Sequence, residues 1–390
     1  MKQKLLILGL ILGGFCFSLS LTLPMTVAPK IAAQYGEETV DWMINLYSLA
    51  VLILSPIFTL LFIKLDYKKM ILINLGFASI CNFLTAFVSS AQIICFSRLV
   101  IGIFQGSFIA AAGFLASSFL GQSKKGLAMS LPIIGFAAAP AVGTPILTQI
   151  SAMTNWRDSF VILSVLTFGV FLLVLALASP TMPKKFVSVK GELTALTNGR
   201  FWLISLIILS VFGAFYAVYV NAATVLIQSY SFSDLSVAVA LAVIGVAMYL
   251  GAQIGGILAD KDAKKPLLII AFSLLIIFAI SFPLENFADV FVGIAFLTAA
   301  FCQISIPILQ VRLVETVPKS SLLTIVLSQG IICASVFIAN FAIEMINTNF
   351  LANTTLEFSN YTVGGVFAIL SLIFILGFIQ TTNKKRLSNS

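Results

Sequence analysis

The sequence predicts an all-α membrane protein: twelve transmembrane helices in two halves of six, with both termini on the cytoplasmic side. Three observations predict it. Of 390 residues, 60% are hydrophobic and 9% charged, with a mean hydropathy of +1.11, far outside the range of soluble domains. Twelve apolar runs of the length that crosses a bilayer follow one another, separated by short polar connections. The basic residues segregate to one side of those runs.

The first run, 5–28, starts behind Lys2 and Lys4 in the manner of a signal peptide. It is too long for one, contains Pro24 and leads into a second apolar run, so it is read as a retained span. Spans 2 to 6 follow at 42–63, 70–89, 92–119, 127–150 and 159–179. The longest inner connection, "SPTMPKKFVSVKGELTALTNGR" (179–200), carries two prolines and four basic residues and separates six spans from six. Spans 7 to 12 then lie at 201–227, 235–258, 266–283, 288–310, 321–346 and 362–380. The expected organisation is a first half at 1–179, a cytoplasmic linker at 180–200, a second half at 201–380 and a cytoplasmic tail at 381–390. Similar loops, "KLDYKK" (64–69) and "ADKDAKK" (259–265), follow the second span of each half and suggest a duplicated unit. Transporters built from such repeats bind substrate near the membrane midplane and rock one half against the other.

With the N-terminus inside, 19 of the 22 Lys and Arg residues fall on cytoplasmic segments. Lys30 and Arg157 lie outside, and Arg98 lies within span 4. This sidedness accounts for the net charge of +8 without any nucleic-acid partner. The expected location is the plasma (inner) membrane, as a multi-pass monomer. Cys16, Cys81, Cys95, Cys302 and Cys333 show no paired or ligand spacing, and there is no histidine. Neither a metal site nor a cofactor is expected, and a membrane hydrolase or metalloenzyme lacks its clustered side chains.

Several motifs resemble those of the major facilitator superfamily, in particular its twelve-span drug and metabolite proton antiporters and the sugar-efflux and arabinose-efflux-like permeases. In "GGILADKDAKK", Gly256, Leu258, Ala259, Asp260, Lys261, Lys264 and Lys265 match the family's G-x-L-A-D-(R/K)-x-x-(R/K)-(R/K) loop. The resemblance implies a gating loop, in which glycine permits close helix contact and the charges hold the cytoplasmic seam closed. Its N-terminal copy has Thr59, Phe62 and Ile63 where the family has Gly, Ala and Asp, but keeps Lys64, Asp66, Lys68 and Lys69. "RLVIGIFQG" matches the fourth-span motif at Arg98, Gly102, Gln105 and Gly106. "GFAAAPAVGTP" resembles the antiporter motif of span 5, with Gly135, Pro140 and Gly143 retained and Ala139 in place of a glycine. Gly135, Ala139 and Gly143 form a small-residue face, as do Gly251 and Gly255 of span 8, and spans 5 and 8 pack together in the family. "NWRDSF" (155–160) and "QVRLVETVP" (310–318) are supporting matches, with Trp156 suited to the membrane interface.

The family fold lines its cavity with spans 1, 4, 7 and 10, which here present Phe15, Ser18 and Thr22; Arg98 and Gln105; Phe212, Tyr216 and Tyr219; and Gln303 and Gln310. A guanidinium stays charged and costs roughly 2.5 kcal/mol or more at a helix centre, so Arg98 must face the cavity or a bonded partner. An antiporter ordinarily adds a carboxylate with a raised proton affinity in the spans. The nearest candidates here are Asp41, Glu315 and Glu344, each near a span end. The leading expectation is proton-coupled efflux of a small organic compound, drug or metabolite, by alternating access. An alternative is transport of an anionic metabolite, such as a siderophore or organic acid, on Arg98. A transport-dead receptor is the remote alternative, since receptors on this fold add a sizeable inner domain.

Overall fold

A bilayer core offers backbone amides no partner, so each stretch that crosses it closes its hydrogen bonds internally as a helix. The computed structural model describes residues 2–120, 125–178, 189–259, 263–284, 287–317, 320–350 and 355–387. It contains twelve helices long and apolar enough to span a membrane, and no strand among the described residues. Spans 1 to 6 are Lys2–Thr26, Glu37–Leu61, Tyr67–Phe87, Ala91–Leu120, Leu131–Met153 and Trp156–Leu177. Spans 7 to 12 are Gly199–Gln228, Asp234–Ala259, Lys264–Leu284, Ala288–Thr316, Leu322–Thr348 and Leu356–Thr382. The largest departures from the sequence reading are six residues, at the end of span 10 (310 against Thr316) and the start of span 12 (362 against Leu356). Both additions are polar turns, where a helix continues beyond the hydrocarbon into the interfacial zone.

Spans 1 and 7 are each interrupted near the face opposite the termini. Span 1 gives way to a short helix, Ala28–Tyr35, with Pro24 and Pro29 on either side of the break. Span 7 is interrupted between Tyr219 and Ala222, and Ala222–Gln228 continues it. The two short helices touch. Lys30 of the first donates to the Ser151 carbonyl at 2.9 Å and pairs with Asp234, at the start of span 8, at 3.3 Å. The halves therefore meet on the face opposite the termini.

Deeper in the membrane the halves join at two seams, span 2 on span 11 and span 5 on span 8. At both, the helix of the first half opens into a π-turn, Ala50–Leu54 in span 2 and Ala139–Gly143 in span 5. A glycine of the second half lies against each turn. A Cβ on Gly330 would stand 2.8 Å from the Leu52 Cα, and one on Gly245 2.2 Å from the Pro140 carbonyl carbon. Only a residue without a side chain lets two backbones approach so closely. The small-residue faces pair differently from the sequence reading, which set Gly135 and Gly143 toward Gly251 and Gly255. A Cβ on Gly135 would fall 1.8 Å from the Ile11 carbonyl oxygen and one on Gly143 2.5 Å from the Phe15 ring, so span 5 turns its glycines to span 1. Gly251 and Gly255 lie against the carbonyls of Ala300 and Ile304 in span 10, at 2.5 and 2.4 Å for the same construction. A stripe of small residues fixes how near a neighbour comes, not which neighbour it is; Pro140 on Gly245 makes the contact between spans 5 and 8.

Candidate functional site

Arg98 is fully buried, and its partners lie within the first half. Its Nη2 donates to the Thr85 hydroxyl at 2.5 Å, the Asn82 Oδ1 at 3.1 Å and the Cys81 carbonyl at 3.4 Å, all on span 3. Its Nε reaches Ser97 Oγ at 3.4 Å, and the guanidinium carbon sits 5.1 Å from the centre of the Phe160 ring of span 6. Asn82 in turn donates to Ser20 of span 1 at 3.1 Å, and Thr85 shares a 2.7 Å bond with Ser97. Arg98 thus ties spans 1, 3, 4 and 6 together, instead of facing the cavity as the sequence reading had it. The need for a partner was legible in the sequence; that Asn82 and Thr85 supply it depends on how span 3 packs beside span 4. Nη1 is buried without a hydrogen-bond partner among the described residues.

The same helix reaches the second half two turns later, at Gln105. Its Oε1 accepts from the Tyr47 hydroxyl of span 2, which also lies 3.3 Å from the Phe17 carbonyl of span 1. Its Nε2 is 4.0 Å from the Cys333 sulfur of span 11. The flanking glycines create this convergence. A Cβ on Gly102 would lie 2.5 Å from the Tyr47 carbonyl, and one on Gly106 2.7 Å from Ser55 Oγ and 3.1 Å from Val326 of span 11. From span 7, Tyr216 is within electrostatic reach of Tyr47, Cys302 and Cys333. It packs among Phe212, Phe215 and Tyr219 with ring centres 5.0 to 6.5 Å apart. The two halves therefore meet around neutral amide, phenol and thiol groups, all buried.

The remaining cavity candidates divide. Ser18 Oγ, Tyr219 Oη and Gln310 Nε2 are buried atoms with no hydrogen-bond partner among the described residues, and so retain hydrogen-bonding capacity. Thr22 instead bonds Thr144 of span 5 at 2.9 Å, and Gln303 stands beside Gly251 of span 8. Tyr47 and Cys333 were missed by the sequence reading, which looked to spans 1, 4, 7 and 10. The available signal was "NLYS" (45–48), three polar-tipped side chains inside an apolar span.

The loop candidates are also redistributed. Asp260 and Lys261 lie outside the described residues. A Cβ on Gly256 would meet open space, so close contact there belongs to its neighbour Gly255. Lys64 and Lys265 are exposed, and Lys264 is half-buried. Asp66 caps span 3 through the Lys69 amide at 2.8 Å and pairs with the Lys69 ammonium at 3.3 Å. Lys68 donates to the Leu175 and Ala178 carbonyls at 3.1 and 2.6 Å, satisfying the end of span 6. These contacts stay inside the first half, where local helix ends offer nearer partners than the seam does. Trp156, the first residue of span 6, is buried and donates to Gln34 at 3.0 Å. Arg157 donates to the Ala86 and Val88 carbonyls at 2.9 Å each, closing the end of span 3.

The three acids differ sharply. Glu315 pairs with Arg312 at 2.8 Å, and Glu344 is exposed. Asp41, half-buried in the second turn of span 2, accepts from Asn340 of span 11 at 3.1 Å and so sits on a seam between the halves.

The family model of the Major Facilitator Superfamily matches residues 10–325. The inner membrane transport protein YdhP of Escherichia coli O157:H7 is 25% identical over 329 residues, 82% of this chain and 83% of that protein. A Helicobacter pylori (strain P12) protein named probable sugar efflux transporter is 24% identical over 388 residues, 96% and 95% of the two chains. The MFS-type transporter YtbD of Bacillus subtilis is 24% identical over 261 residues, 66% of this chain and 65% of that one. Among solved structures, the human organic anion transporter MFSD10 superposes with a TM-score of 0.69 at 13% identity, covering 96% of this chain and 99% of that one. At that identity the likeness concerns the fold.

Proposed function

The chain belongs to the Major Facilitator Superfamily, and from that premise we propose that it exports a small, neutral, hydroxyl-bearing compound of the sugar class by alternating access. It is a multi-pass membrane transporter and not an enzyme. One observation carries the substrate reading: the charge of Arg98 is bonded inside one half, whereas the buried groups gathered around Gln105, where spans 2, 4, 7 and 11 converge, are neutral. Tyr47, Gln105 and Tyr216, with the unpartnered Tyr219 and Ser18 hydroxyls, offer donors, acceptors and ring faces, which suit hydroxyls better than a carboxylate. The names of the Helicobacter relatives point the same way. The positive-inside pattern supports cytoplasmic termini, and we take the protein as a monomer of the inner membrane.

Proton exchange is assigned to Asp41, the one of the three candidate acids Asp41, Glu315 and Glu344 that bonds across a seam between the halves. Rocking that parts span 2 from span 11 exposes the carboxylate and alters its proton affinity. The test is flux in proteoliposomes under an imposed pH gradient, comparing labelled neutral sugars with sugar acids of equal size. Neutral sugars are expected to move, and Asp41→Asn is expected to leave downhill exchange while abolishing gradient-driven accumulation. Preferential flux of the acids overturns the substrate reading. Undiminished accumulation in Asp41→Asn overturns the proton assignment alone.

A further inference from the structure

Span 11 begins with a capping arrangement that its own sequence does not require. The residue preceding a helix ordinarily caps it, and Ser320 stands in that place with a suitable hydroxyl. Its hydroxyl makes no bond to a backbone amide of the helix. It donates instead to Glu192, at 2.5 Å to the carbonyl and 3.2 Å to the carboxylate. The first-turn amides of Leu322 and Leu323 are taken by the Glu192 carboxylate at 3.3 and 2.8 Å. The cap has passed from the local serine to a residue of the linker 130 positions before Leu322.

The linker is attached elsewhere on the same face. Asn198 caps span 7 through the Arg200 and Phe201 amides at 3.0 and 3.2 Å and donates to the Thr316 carbonyl at the end of span 10 at 3.4 Å. Tyr67, at the start of span 3 in the first half, lies within electrostatic reach of the Glu192 carboxylate. Among the described residues no basic side chain pairs with Glu192, and Lys190 on the same short helix, Val189–Glu192, is exposed. A buried carboxylate held by amides and a hydroxyl depends on geometry, because displacement by about an ångström or two forfeits the bonds and leaves water the better partner. Burial accordingly pushes the Glu192 carboxyl above its ordinary value, against the pull of the Leu323 and Leu322 amides and Ser320. Span 11 is also the helix whose other end meets Asp41 through Asn340.

We propose that Glu192 is a positioning residue of the transport cycle, docking the linker on the first turn of span 11 in the arrangement seen here and undocking when the terminal face rearranges. The proposal rests on the alternating-access reading above. The test uses the full chain in nanodiscs, with hydrogen exchange read at Leu322, Leu323 and residues 189–196. Spin labels at Gln92→Cys and Asp289→Cys report the separation of the halves on the opposite face. Glu192→Ala is expected to speed exchange at both segments together by roughly tenfold and to shift the ratio of the two label distances by at least about threefold. Glu192→Gln, which keeps an acceptor oxygen, is expected to fall between Glu192→Ala and wild type on both readouts.

Unchanged exchange in Glu192→Ala overturns the docking. Faster exchange with an unmoved distance ratio overturns the role in the cycle, leaving a helix cap. Should Glu192→Ala fail to fold, Glu192→Gln and Ser320→Ala give the same pair of readouts, and unchanged exchange or an unmoved ratio in them overturns the docking or the cycle role in the same way. A single label distance in the wild type under every condition overturns alternating access, and the positioning role with it, while exchange still reports the docking.

Discussion

Replacing Arg98 by methionine is expected to be tolerated, and replacing it by lysine is not. Methionine is of similar length, unbranched and apolar, and fills the channel that the arginine stem occupies. It withdraws the donor from Asn82 Oδ1, while Asn82 keeps its bond to Ser20 and Thr85 keeps Ser97 and the Cys81 carbonyl. One orphaned acceptor costs about 1–3 kcal/mol. Removing a buried charge without a counter-ion offsets this, since apolar replacement of buried ionic groups is often neutral or stabilising by about 1–4 kcal/mol. The net change is within about 2 kcal/mol of zero. Lysine keeps the charge, but its ammonium ends one atom short of Nη2, the nitrogen that reaches Asn82, Thr85 and the Cys81 carbonyl, and a buried charge stripped of partners costs about 3–5 kcal/mol. Arg98→Ala leaves an orphan and a cavity, for about 2–5 kcal/mol. Thermal unfolding in detergent, followed by intrinsic fluorescence, gives the ordering, and proteoliposome flux of neutral sugar shows whether the methionine protein still works. If Arg98→Lys matches wild type in stability while Arg98→Met is stable and inactive, the charge faces substrate and the structural role assigned to it is refuted.

The two glycines of the span 8 region should behave oppositely: Gly245→Ala forces its methyl against the Pro140 backbone and costs about 1–3 kcal/mol, whereas Gly256→Ala meets open space and stays within about 0.5 kcal/mol. Equal melting temperatures for the two refute the seam packing. Tyr47→Phe and Gln105→Leu should couple, with a double-mutant interaction of at least about 0.5 kcal/mol in unfolding; additive losses refute the bond between them. For Glu192, a folded-state proton affinity above the unfolded value stabilises the protein fully below the unfolded pKa, an effect lost as pH rises through the folded one. Wild type should therefore gain stability relative to Glu192→Gln as pH falls from about 7 toward about 4, and a constant or opposite difference in melting temperature contradicts the burial of that carboxyl.

The acids show how far sequence alone carries the site. Asp41, Glu315 and Glu344 are equivalent as carboxylates near span ends; a 3.1 Å bond from Asn340, 299 positions away, singles out the first. Tyr47 and Cys333 likewise belong to the site through contacts between halves that no local spacing encodes. Glu192, in a segment that composition marks as a solvated linker, is buried because span 11 offers it two free amides.

The number of spans, their limits to within six residues and the presence of a charge needing partners follow from the sequence by itself. Transfer of apolar surface and satisfaction of backbone amides are local costs, settled within each run of about twenty residues. Which partner meets Arg98, which glycine faces which helix and which acid lies between the halves were decided by tertiary structure alone. Each depends on the rotation and neighbours of a helix in a bundle, where lipid-like side chains make many packings nearly equal in energy. A few polar bonds and close glycine contacts then select among them.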